Sequence, residues 1–150
     1  MSNIRCIFLG EPKRACVVTR VSIPNHPPTS ILFSIDLNTT RSFISPKDLR
    51  NVGIDLSSLP SLSSNVKVFS FGRRVPNKRL ALIDEICCIQ FVTNTGLYEV
   101  PFESFIAIKS EEISYARLPS VLGVDFLNDL RLKLYINVHG DQIELKYGDS

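Results

Sequence analysis

The chain has no tryptophan, and it has only two histidines in 150 residues. His26 and His139 stand beside proline and glycine, in surroundings that read as turns. A Ser-His-Asp or Cys-His catalytic set therefore has little to draw on. Cysteine is sparse too: Cys6, Cys16, Cys87 and Cys88 form no CxxC pair. Neighbours in a strand point to opposite faces, so Cys87 and Cys88 do not converge on one metal. All four read as reduced, mostly buried thiols, and a cytoplasmic location is expected. No apolar run approaches the roughly 20 residues of a membrane helix. Arg5 lies near the start with no long apolar stretch behind it, so no signal peptide is evident. Net charge is only +2, with basic residues scattered among acids, so neither nucleic acid nor a membrane is expected as a partner. The one basic cluster, Arg73, Arg74, Lys78 and Arg79, reads as a solvated loop.

What is present is a succession of short strands. The length suits one domain, 1–150, with a real core. Residues 3–9 put Ile4, Cys6 and Phe8 on one face, and 15–23 alternate Val17, Thr19 and Val21 against Val18 and Arg20. Pro24, Pro27 and Pro28 make the next segment a loop. Residues 66–71 form one arm of a hairpin with its tip near Gly72, and a return arm is expected from Lys78 onward. Residues 80–92 alternate over a long span, and 97–108 form their partner, placed at an edge or bulge by Pro101. His139-Gly140-Asp141 is expected to turn the chain between two last strands, 132–136 and 143–147. Two short helices complete the set. Ser45-Pro46-Lys47-Asp48 is a helix start that Gly53 ends, and 123–130 is the second helix. The class is all-β, a closed barrel with one or two short helices.

Two stretches carry the chemistry. Ile31 to Ile35 is a five-residue strand with four large apolar side chains, the pattern of a strand buried on both faces. It stops at Asp36, and Leu37, Asn38, Thr39 and Thr40 follow before the pair Phe43-Ile44. A carboxylate where a buried strand breaks is costly unless its charge is shared or hydrogen-bonded. Taken alone, Asp36 suits a surface turn or an Asx turn as well as a functional acid. The second stretch is Val121-Leu122-Gly123-Val124-Asp125-Phe126-Leu127.

In order and separation the two stretches resemble the motifs of the retropepsin-like aspartic proteases, over roughly residues 15–147. That family carries two apolar residues, then Asp-Thr/Ser-Gly, often with Ser-Phe-Ile-Ser after it, here Ser42 to Ser45. Near its end it carries an apolar pair, then Gly-Arg-Asp-Phe-Leu. The segment Gly53 to Pro60 is similar to one in small prokaryotic members. The resemblance implies a closed barrel and a homodimer in which each chain gives Asp36 to a shared dyad. It also implies a flap around Phe71, Gly72 and Arg73, an extended peptide or unfolded segment as ligand, and no metal or cofactor. Two carboxylates about 3 Å apart share one proton, so one acts as acid while the other activates water. Asp125 reads as a structural residue of the second helix. Three positions depart from the pattern. Leu37 replaces the hydroxyl residue that ties two chains together, Asn38 replaces glycine, and Val124 replaces the arginine that braces the loop. These departures imply weakened or lost hydrolysis and a less polar brace. A fully active endopeptidase with a variant loop, or a non-catalytic peptide-binding dimer, remain as alternatives.

Overall fold

The computed structural model describes residues 2–11, 13–62, 67–70, 72–103, 105–137 and 142–147. The strands are β1 (Ser2–Arg5), β2 (Ile7–Leu9), β3 (Arg14–Ser22), β4 (Thr29–Ile35), β5 (Phe43–Ile44), β6 (Val68–Ser70), β7 (Arg73–Val75), β8 (Leu80–Leu82), β9 (Cys87–Thr93), β10 (Gly96–Phe102), β11 (Ile106–Ile108), β12 (Ser120–Leu122), β13 (Lys133–Asn137) and β14 (Gln142–Tyr147). The helices are α1 (Pro46–Val52) and α2 (Val124–Asp129), with three short 3-10 turns. The chain is therefore mostly β, as its pattern predicts.

Twelve strands form one sheet, in the order β13-β14-β1-β9-β3-β4-β12-β5-β11-β8, with β10 added to β9 and β2 to β3. The ladder β3–β4 follows from the alternation: Val17, Thr19 and Val21 face the core while Val18 and Arg20 are exposed. The interior is held by phenylalanine. Phe33 stacks on Phe105 at 5.7 Å between ring centroids, Phe102 meets Phe105 edge-on at 4.6 Å, and Phe126 contacts both Phe102 and Phe91. Phe126 is α2's one fully buried residue, so this cluster pins α2 beneath the sheet. Each such ring contributes its buried area and about 0.5–1.5 kcal/mol of pair geometry. α1 begins and ends as expected: the Ser45 hydroxyl accepts from the Asp48 amide, Pro46 occupies the first turn, and Gly53 closes it at φ 97°.

Several expected elements differ. The first strand breaks at Cys6 into β1, which pairs with β14, and β2, which pairs with β3. The long span 80–92 breaks at 83–86, where the Ile83 amide leaves the ladder to donate to the Phe105 carbonyl. Its partner also divides, into β10 and β11. Pro101 stays within β10, which pairs only with β9 among the described residues, so the missing N–H falls on an edge. The return arm of the hairpin is Arg73–Val75, not Lys78 onward, and Asn77–Arg79 is a 3-10 turn. Gly72 supplies a left-handed position, φ 83°, just before β7, and Pro76 follows the end of the ladder. The basic cluster is accordingly not one loop: Arg73 and Arg74 lie in β7, and Arg79 pairs with Glu112 and lies over Tyr115. β4 is not covered on both faces, since Leu32 is 40% exposed and Ile35 only partly buried. The expected turn at 139–141 lies outside the described residues.

Candidate active site

The loop after β4 is built by its own polar groups. The Asp36 amide donates to the Leu122 carbonyl at 3.2 Å, extending the parallel β4–β12 ladder by one bond. The chain then turns, and the Asp36 carboxylate organises the turn. Its Oδ1 accepts from the Asn38 amide at 2.9 Å, and its Oδ2 accepts from the Thr39 hydroxyl at 2.7 Å. The Thr39 amide donates to the Asp36 carbonyl at 3.2 Å. The Asx-turn arrangement is thus present, and it fixes both carboxylate oxygens at once. Thr39 is buried, whereas Leu37, 53% exposed, and Asn38 project at the tip.

The second motif is laced to this loop. The Val124 amide donates to the Thr39 carbonyl at 2.9 Å, and the Asp125 amide to the Thr40 carbonyl at 3.3 Å. Gly123 has an ordinary extended backbone, but a methyl there would sit 2.3 Å from the Thr39 carbonyl oxygen. Glycine is required for space rather than for conformation. The centre of the lacing is Ser42, fully buried. Its hydroxyl donates to Asp125 Oδ1 at 2.7 Å and accepts from the Gly123 amide at 2.9 Å. Its own amide donates to the Asp125 carboxylate at 2.9 and 3.0 Å. The Phe126 amide adds a third donor group, and Arg41 Nε lies 3.8 Å from Oδ2.

This corrects the expected less polar brace. Val124 carries no charge, but an arginine in the first motif, Arg41, faces the acid of the second. Asp125 lies in the first turn of α2 and ties that turn to Ser42. Sequence reasoning assigns no bracing role to Ser42 or Arg41; an arginine absent at 124 beside an acid at 125, with an arginine at 41, is the available signal. A further buried set supports the loop from behind: Ser120 Oγ donates to Asp48 Oδ2 at 2.6 Å and accepts from the Ser45 amide at 2.9 Å. Val121 and Leu122 are buried in β12, on either side of its parallel pairing with β4.

The hairpin β6–β7 packs by Val68 and Val75 into a second cluster with Phe43, Leu80, Ile106, Ile108 and Val121. Its base thus rests on the strand that follows the Asp36 loop. Gly72 and Arg73 are exposed at the tip, and Phe71 lies outside the described residues.

No protein-family model and no curated protein matches the chain. Among solved structures it is similar to the crystal structure of a retropepsin-like aspartic protease from Rickettsia conorii, with a TM-score of 0.52 and 15% identity over 98% of this chain and 92% of that one. The fold is retropepsin-like. Within it, Asp36 follows the strand that the second motif pairs with, and Gly123 passes the Thr39 carbonyl with no room for a side chain. Among the described residues, no three His, Cys, Asp or Glu side chains are grouped to hold a metal, and no helix is long and apolar enough to cross a membrane.

Proposed function

We propose that the protein is a homodimer of the aspartic endopeptidase type, with one Asp36 from each chain and weakened peptide hydrolysis. The observation that carries this is the lacing of Asp36: a carboxylate held through both oxygens, on a loop locked to a second motif through Ser42 and Asp125. An Asx turn accounts for the local bonds to Asn38 and Thr39, but not for the ties that join this loop to Gly123, Val124 and Asp125. In this reading the sheet curls into a closed barrel, the loop tips meet at a twofold axis, and the two carboxylates share one proton. One then activates water for attack on an extended peptide lying under the β6–β7 flap.

The exposed Leu37 supports the axis, because a large apolar side chain at a loop tip gains by burial against its counterpart. Asn38 supports weakened turnover. It brings an amide side chain to a position where glycine leaves room for water and substrate backbone. Strand-like pairing with the flap still binds peptide without chemistry.

Cleavage of unstructured peptides tests the reading. The protein should cleave slowly, best in acid, where the pair retains its shared proton, and Asp36→Asn should abolish cleavage. Leu37→Thr with Asn38→Gly should raise the rate about tenfold, or roughly 1.4 kcal/mol of transition-state stabilisation. Efficient native cleavage that the double change slows would make the loop a working variant and overturn the weakened-enzyme reading.

A further inference from the structure

The outer face of the sheet carries an unexpected apolar row. On β10 and β9, Leu97 lies opposite Val92. The β3–β9 register, continued by one residue, sets Val92 beside Val18, and Val18 lies opposite Leu32 on β4. These four side chains are 65, 53, 51 and 40% exposed. The neighbouring row runs Glu99, Gln90, Arg20, Ser30 across the same four strands. Its charges are separated by sign: the acid is on the edge strand and the arginine two strands inward. Glu99 accepts from Gln90 Nε2 at 2.8 Å, whereas the Arg20 guanidinium makes no hydrogen bond or ion pair among the described residues. Beside this row the surface is concave, about 310 Å³, and lined by Arg20, Glu99, Gln90, Cys88, Ser22 and Pro28.

We infer that this face binds a second copy of the chain, sheet against sheet, at a surface separate from the Asp36 loop. The pattern is self-complementary. A twofold axis in the contact plane along β9 sets Val92 on its counterpart and Leu97 on Val18. The same operation places each Arg20 over the other copy's Glu99, twice. Aligned packing of two twisted sheets keeps strand directions within about 30°, which preserves both rows. The operation buries Val92, Leu97 and Val18, while Leu32 on β4 falls beyond the partner's edge strand. A protein of opposite design, such as an acidic one, would satisfy Arg20 but meet Glu99 with like charge. The patch is small, so association falls in the micromolar range rather than below it.

Sedimentation velocity across the micromolar range tests this with charge reversal at exposed positions, where folding is little affected. Arg20→Glu and Glu99→Arg should each weaken self-association at least tenfold, because each sets like charges opposite one another, and the double exchange should restore it to within about threefold. Leu97→Asp should weaken association without charge rescue. Repeating the series in Leu37→Asp separates this face from the proposed axis: the charge dependence must persist there whether or not Leu37 lies at an axis. Single reversals that leave the association unchanged, or a double exchange no better than the singles, would overturn the inference. Thermal unfolding of each variant confirms that a loss of association is not a loss of fold.

Discussion

At the scale of single residues, Gly123 and Ser42 matter as much as Asp36. Gly123→Ala forces a methyl against the Thr39 carbonyl, a backbone atom that cannot swing aside. The cost should be about 2 kcal/mol or more, close to the upper range for overpacking, and it should appear as a lowered denaturant midpoint. The thiols give a separate prediction. Burial pushes Cys6 and Cys87 up to about 11. The unfolded chain releases these protons near 8.5, so above that pH the native state holds protons that the unfolded state has lost. Stability from this source is complete below about pH 8.5 and falls as pH rises toward 11. Denaturant midpoints should therefore drop more steeply from pH 8 to 10.5 in the native protein than in Cys6→Ala with Cys87→Ala.

At the scale of elements, the hairpin β6–β7 has an anchored base and a free tip. Val68 and Val75 are buried, while Gly72 to Arg74 are exposed. Amide exchange should rise from base to tip, with Gly72 fastest and the Val68 and Val75 amides slower, all faster than β4. Uniform protection matching β4 would make the hairpin a fixed part of the sheet. What was legible at this scale follows from local chemistry. The Ser45-Pro46 start and Gly53 stop of α1 were readable because capping groups act within one turn, and β3 because its alternation is uninterrupted. The breaks at Cys6 and at 83–86 were not. There the alternation of side chains continues through a change of hydrogen-bonding partner, and only the distant strand decides where one ladder ends. The exchange of Arg41 for an arginine at 124 was hidden for the same reason: the pair is distant in sequence.

At the scale of the molecule, the proposed dimer rests on the loop tips. Leu37→Asp puts two like charges where two apolar side chains would meet, and should dissociate an axial dimer by at least tenfold in equilibrium sedimentation, about 1.4 kcal/mol or more. An unchanged association constant would remove Leu37 from the axis. The fold class and the pairing of the two motifs were readable because each motif is a compact string. The exposed row on the outer face was not, because Leu97, Val92, Val18 and Leu32 come from four separate strands and form a row only once the strands are aligned.

The lacing of Ser42 to Asp125 also sets a clock on synthesis. The two residues are 83 positions apart, and at 5–20 residues per second the ribosome takes roughly 4–17 s to pass from one to the other. During that interval the Asp36 segment has neither the Gly123 amide nor the Asp125 carboxylate to hold it, and β4 lacks its parallel neighbour. A nascent chain therefore carries Asp36 without the contacts that later fix its loop. The late-arriving segment completes the loop, so a chain stalled or cut before residue 120 leaves Asp36 on a loop without these contacts.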